Sequence, residues 1–224
     1  MAEPVAARVA ASVLLLRDAP AGVETWLMHR VSRMAFAPSM SVFPGGGVDA
    51  VDAGGSDDPR TADRFGVPPA EAGILLRCAV REVAEETGVA LAAADLQPWA
   101  RWITPEAEPR RYDTFFYVAA LPDGATAASI STEAAVAEWV SVGGALAQYE
   151  RGERAMLPPT VHNLRLLAEH RSVASVLRAA AARLLTPIMP TLRPDGDGRW
   201  VADLGTGELM PLPAGFGSPP RAGR

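Results

Sequence analysis

The first strong pattern in the chain is an apolar run, Val9-Ala10-Ala11-Ser12-Val13-Leu14-Leu15-Leu16, closed by Arg17-Asp18. A short run rich in Val and Leu and bounded by charge reads as a buried β-strand over residues 8–17. Ala19-Pro20-Ala21-Gly22 supplies a turn. Residues 23–30 then alternate, with Trp26 and Met28 on one side, so the two segments predict a hairpin. Period-two or β-rich segments recur at 98–103, 112–121 and 135–142. From Ala70 the period becomes helical, with Leu75, Cys78, Ala79 and Val83 in one stripe. Residues 143–150 and 160–185 are also expected to be helical, the second broken near Arg171-Ser172. Beyond them, 187–193 reads as extended, 194–198 as a turn, and 200–204 as part of a small hairpin.

Two stretches depart from this ordinary patterning. Phe43-Pro44-Gly45-Gly46-Gly47 is a glycine-rich turn after a short apolar run, and Arg81-Glu82-Val83-Ala84-Glu85-Glu86-Thr87-Gly88-Val89 ends the helical stripe. Positions i, i+3 and i+4 share a helix face, so Glu82, Glu85 and Glu86 point the same way. Three carboxylates that close repel one another, and a hard divalent cation is one way to offset the cost. A solvated acidic turn is the competing reading of the glutamates alone. Gly88 follows as a left-handed C′ residue should.

Together the two stretches resemble the Nudix hydrolase signature, G-x5-E-x7-R-E-U-x-E-E-x-G-U with U aliphatic. Gly46 matches its first glycine, and Arg81, Glu82, Val83, Glu85, Glu86, Gly88 and Val89 match its second half. Asp52 stands where glutamate is usual, and residues 53–80 fill a gap of 28 where the family has seven. Such a long insertion resembles one branch of the family, which includes a mammalian peroxisomal coenzyme A diphosphatase. The likeness extends to Arg33-Met34-Ala35-Phe36, Trp102-Ile103-Thr104-Pro105, Arg111-Tyr112-Asp113-Thr114-Phe115-Phe116 and Leu157-Pro158-Pro159-Thr160.

The resemblance implies an α/β Nudix fold, a mixed β-sheet sandwiched between α-helices, with additional C-terminal helices. It implies one domain over residues 1–210, with residues 211–224 a disordered tail. Mg²⁺ or Mn²⁺ would be held by Glu82, Glu85 and Glu86, with the Gly46 carbonyl as a further ligand. Glu85, Glu86 and Arg81 would be catalytic, Arg81 by keeping a neighbouring carboxylate ionised and oriented. Nudix enzymes often add a later carboxylate as ligand or base; Glu133 and Glu138 lie in that region, and Glu133 joins the candidate set. The substrate would be a small nucleotide, a nucleoside diphosphate linked to another moiety. Coenzyme A or an acyl-CoA is the first choice, and ADP-ribose or NADH the alternative. A nucleotide-binding regulator that does not hydrolyse is a reading of another class; such modules commonly lose box glutamates, and this chain keeps all three.

Basic side chains are candidates for substrate phosphate: Arg30 and Arg33 just ahead of the turn, and Arg110 or Arg111, of which Arg111 joins the candidate set, in the polar loop 106–111. Solvated loops explain them equally well. The insertion at 53–70 is rich in Gly, Asp and Pro and reads as a surface loop with a short helix near residues 61–65. A lid, a dimer contact and a passive excursion all stay open for it, and the family allows a homodimer.

Composition narrows the classes. Charged residues make up 21% and apolar ones 49%, ordinary for a globular chain of 224 residues. A net charge of −5 argues against polymeric nucleic acid or an anionic membrane as partner. No apolar run approaches the ~18–20 residues needed to cross a bilayer, Glu3 spoils a signal-peptide reading of the first run, and the expected location is cytoplasmic. The single cysteine, Cys78, reads as a small core residue, and His162 and His170 as structural or surface side chains.

Overall fold

The computed structural model describes residues 5–30, 39–130 and 134–213. Its central sheet has seven strands. β1 (Arg8–Ala19) pairs antiparallel with β2 (Gly22–Arg30) and parallel with β6 (Tyr112–Ala120), which pairs antiparallel with β5 (Gln97–Ile103). β2 also pairs with β3 (Ser41–Val42) and with β7 (Ala134–Ser141), while β4 (Gly45–Gly47) pairs with the start of β1. One parallel pair among antiparallel ones makes the sheet mixed, and helices cover both faces.

β1 is apolar from Val9 to Leu16 apart from Ser12 because both faces of its middle are buried. Ala11, Val13 and Leu15 face one core with Phe115, Tyr117 and the stripe Leu75, Cys78, Ala79 and Val83 of α2 (Pro69–Thr87). Leu14 and Leu16 face the other core, filled from α3 (Val142–Glu150), α4 (Pro158–Ala168) and α5 (Val173–Ala182) by residues such as Val161, Leu164, Leu167 and Val176. The break expected near Arg171-Ser172 is real: Ser172 caps α5 by accepting the Ser175 N–H. α5 ends at Ala182, three residues before the expected end.

β1 pairs with β2 over Leu16 to Ala19 but with β4 over Ala10 to Ser12. The two strands of the hairpin therefore splay, and Phe43-Pro44-Gly45 enter the wedge. Pro44 O accepts both the Val13 N–H (2.9 Å) and the Ser12 hydroxyl (2.9 Å), which fixes the turn against β1.

The insertion differs from the surface loop expected of it. Asp58 caps α1 (Pro59–Phe65), which ends at left-handed Gly66. Thr61, Ala62 and Phe65 are buried, and the Phe65 ring stands edge-on to Phe115 at 5.0 Å and Tyr117 at 5.4 Å. Arg64 donates to the carbonyls of Ala180 (2.6 Å), Ala181 (3.0 Å) and Arg183 (2.6 Å) at the end of α5. The segment is thus a fastened part of the core: the short helix expected near residues 61–65 is present and begins two residues earlier, but it is packed inward where a surface loop was expected.

The C-terminal region also exceeds the expected hairpin. β8 (Thr191–Pro194), β9 (Trp200–Asp203) and β10 (Leu209–Pro211) form a separate antiparallel sheet. Ala202 and Met210 close the second core, and residues 211–213, expected to belong to the tail, are described, Pro211 within β10. Residues 214–224 lie outside the described residues. No described helix is long and apolar enough to cross a membrane.

Candidate active site

α2 sets the site's geometry. Pro69 opens it, Gly88 ends it at φ 72°, and the Gly88 N–H returns to Ala84 O. Val83 is fully buried, and Glu82 and Glu86 face the glycine turn while Glu85 stays exposed beside Arg81. Glu86 is buried and its Oε2 accepts the Gly45 N–H at 2.8 Å. Gly45 adopts φ +152°, and a Cβ there would strike Ser12 Cα at 2.6 Å and the Ala11 carbonyl. A Cβ on Gly46 would lie 2.6 Å from Glu82 Cδ, so the carboxylate rests directly on the turn's backbone. These two glycines are required by close approach.

Arg81 gathers the acidic groups. Its Nε and Nη2 grip Asp52 Oδ1 and Oδ2 at 2.9 and 2.8 Å, and its Nη1 reaches Glu82 Oε1 at 2.8 Å and Glu85 Oε2 at 3.0 Å. The fork also donates to Gly47 O at 3.2 Å. Asp52 is 2% exposed, and the Asp49 N–H adds a second donor at 2.9 Å. The Arg81 hydrogen bonds hold the Asp52 carboxyl below its ordinary pKa against the opposing effect of burial. Asp52 and Glu82 in turn raise the Arg81 pKa, so its charge is permanent. The shorter carboxylate at 52 works because a helical turn over residues 50–52 carries it to the guanidinium. Arg77 anchors the same turn through Asp52 O (2.8 Å) and Ser56 O (3.1 Å).

Cys78 lies beneath the turn, fully buried, with Sγ 3.6 Å from Gly46 O. Burial foremost, and then the charges of Asp52 and Glu82, push its thiol up to about 12, so it stays protonated. It is a packing residue, as its place in the helical stripe suggested.

A cleft of about 510 Å³ opens from Glu82 and the glycine turn. Segments far apart in sequence line it: Trp102 to Pro105, Tyr112 and Thr114, and Leu157 to Thr160. Arg30 lies on its wall, as does Arg110. The neighbouring Arg111 does not line it; that guanidinium holds Thr104 O (3.1 Å) and Val5 O (2.8 Å), tying the N-terminal segment to the sheet. The expected phosphate contact at Arg111 is thereby replaced by a structural one. Arg33 and Glu133 lie outside the described residues. Glu138 sits on the outer strand β7, paired with Arg154 at 2.7 Å, away from the cleft lining. His162 packs edge-on against Trp102 at 5.3 Å and His170 against Trp99 at 6.2 Å, both as structural side chains. Glu108 and Tyr112 also line the cleft and carry no local sequence signal that marks them as site residues.

Among the described residues, no three acidic, histidine or cysteine side chains converge to enclose an ion by themselves. The donor set still fits a hard divalent cation. One guanidinium faces three carboxylates, those of Asp52, Glu82 and Glu85, Glu82 abuts a peptide backbone with carbonyl oxygens, and Mg²⁺ is commonly held by one or two carboxylates with substrate phosphates completing its shell. The glutamates and the turn would supply the protein's share of such a site.

Known proteins show the same arrangement of chain. A protein of Caenorhabditis elegans called nudix hydrolase 7 is 26% identical over 197 residues, which cover 72% of this chain and 61% of that one. The Gallus gallus acyl-coenzyme A diphosphatase NUDT19 is 26% identical over 274 residues, covering 80% of this chain and 72% of that one. This chain therefore spans less than two thirds of the worm relative. The crystal structure of a Nudix hydrolase from Alicyclobacillus acidocaldarius superposes with a TM-score of 0.65 at 23% identity, covering 80% of this chain and 97% of that one, a likeness of fold. The family model of the NUDIX domain matches residues 6–159, from β1 through the insertion and α2 to the start of α4, and the chain belongs to the Nudix family.

Proposed function

We propose that this Nudix hydrolase cleaves the diphosphate of coenzyme A or an acyl-CoA, giving phosphopantetheine, acylated or free, and adenosine 3′,5′-bisphosphate. The observation that carries the reading is the single cleft that joins Glu82 and the glycine turn to Arg30, Arg110 and the Leu157–Thr160 segment. A substrate with a diphosphate, a further phosphate and a long uncharged arm needs an acidic metal-binding face, basic side chains and apolar wall within one cavity. The relative named acyl-coenzyme A diphosphatase supports the same class.

A divalent ion, when bound, would neutralise the diphosphate and make water a better nucleophile. The chain's own part is positional. Gly45 and Gly46 bring backbone against the carboxylates, and the Gly45 N–H orients Glu86. Arg81 keeps Glu82 and Glu85 in place. A carboxylate of this face takes the proton of the attacking water as the new P–O bond forms and the bridging P–O bond breaks. Arg30 and Arg110 are positioned to compensate phosphate charge elsewhere in the cleft.

The test is phosphate release with added phosphatase across CoA, acetyl-CoA, ADP-ribose, NADH and nucleoside triphosphates, with Mg²⁺ and with Mn²⁺. Highest kcat/KM on the CoA compounds is expected. Preference for ADP-ribose or NADH would keep the hydrolase and replace the substrate. Binding without turnover of any of them would make the domain a sensor.

A further inference from the structure

The family match ends at residue 159, yet the cleft continues past it. Pro190 just before β8, Leu192 on β8, Ala202 on β9 and Leu212 after β10 all line the same cavity as Glu82, Leu157 and Pro158. This wall presents no charged side chain, and each member belongs to the small C-terminal sheet or the strand leading into it. The sheet is held firmly there. Ile188 exchanges backbone hydrogen bonds with β5, from the Ile103 N–H to Ile188 O (2.8 Å) and from the Ile188 N–H to Arg101 O (2.8 Å). Ala202 and Met210 are buried in the core behind it, and Glu208 of the β9–β10 turn is bonded to Arg165 of α4. Ala202, Leu192 and Leu212 pack on the core with one side and line the cavity with the other, and an apolar cavity wall backed in this way is a place for an apolar ligand group.

We propose that this C-terminal sheet is a specificity subsite for the aliphatic chain of an S-acyl group, so that the protein discriminates acyl-CoA from free CoA by chain length. The proposal rests on the coenzyme A reading for the identity of the thioester's carrier; the subsite itself rests on the wall. Each methylene moved from water onto such a wall is worth up to about a fourfold gain in affinity. Leu192 and Leu212 are only partly buried, so they can change without emptying the core.

The experiment pairs two measurements on the full chain. One is kcat/KM with CoA, acetyl-, butyryl- and octanoyl-CoA; the other is calorimetric binding of CoA and its S-octyl thioether without added divalent metal, so that the diphosphate of neither is cleaved during the measurement. Octyl binding at least tenfold tighter than CoA is expected, with kcat/KM rising along the acyl series through KM. Leu192→Trp, which keeps the wall apolar but occupies its space, should abolish the chain-length gain and leave CoA itself within about twofold. Leu212→Asn should reduce the gain, with thermal unfolding measured to show that the chain is folded. Cleavage of every CoA compound with no chain-length dependence in kcat/KM or binding would overturn the subsite and keep the substrate reading. Preferential octyl binding, lost in Leu192→Trp, without CoA turnover would keep the subsite and overturn the substrate reading. Failure of both CoA and the thioether to bind would overturn both.

Discussion

At the scale of single residues, the site depends on which carboxylates Arg81 holds and which remain to face a ligand. Glu86 accepts from the Gly45 N–H, and an amide oxygen can accept the same bond. Glu86→Gln should therefore fold with an unchanged melting temperature while metal-dependent turnover falls on the order of 100-fold; undiminished turnover would remove Glu86 from the site. Asp52 behaves differently, because it is buried and paired. Asp52→Asn leaves Arg81 short of its buried counter-charge and should cost about 3 kcal/mol, read from urea unfolding. The pH dependence has a definite sign. The folded pKa of Asp52 is lowered, so its contribution is full above the ordinary carboxylate value near ~4 and is lost as pH falls through the depressed folded pKa. The stability gap between wild type and Asp52→Asn should stay constant from neutral pH down to that range and close only below it. A gap that closes near neutrality would mean that some other group titrates against Arg81. Cys78, pushed up to about 12 and fully buried, should resist thiol reagents at pH 8 until denaturant is added.

At the scale of elements, what was legible in the sequence was what repeats locally. The three glutamates of α2 could be placed on one face because helical spacing alone decides it. β1 was legible because a strand buried on both faces needs an uninterrupted apolar run. The choice between Arg110 and Arg111 was not legible, since both lie in the loop before β6 and only long-range contacts, those of Arg111 with Thr104 O and Val5 O, say which of them is taken up elsewhere. The insertion's short helix was legible near residues 61–65, but its packing was not, because the burial of Phe65 and the reach of Arg64 are tertiary facts. That reach makes a prediction. Arg64→Ala leaves three carbonyls at the end of α5 without their donor, and it should cost about 1–2 kcal/mol, or roughly 4 °C in melting temperature. Turnover measured at 25 °C should remain, because no contact of Arg64 reaches the cleft lining. A loss of turnover at unchanged stability would instead make the insertion a part of catalysis.

At the scale of the whole molecule, the catalytic box lies inside the family match but the cores that support it do not end there. One face of the sheet is closed by α2 and α1, both N-terminal to residue 88, whereas the other is closed by α3, α4, α5 and the C-terminal sheet. The edge strand β5 is covered where Ile188 bridges to Trp102, so removal of the final segment would bare both an edge and an apolar face. A chain stopped after residue 185 keeps Gly46, Asp52, Arg81 and all three glutamates but loses Val201, Ala202 and Met210, each at most 5% exposed. Burial of Val201 and Met210 alone is worth about 3–6 kcal/mol, a large part of the ~5–15 kcal/mol that stabilises an ordinary domain. The truncated chain should therefore unfold without a cooperative transition, or aggregate, at temperatures where the full chain is native, despite an intact box. Calorimetry on the two chains decides it. A cooperative transition within about 5 °C of the full chain would show that the second core is complete without the C-terminal sheet, whose place would then be on the substrate side of the cleft alone.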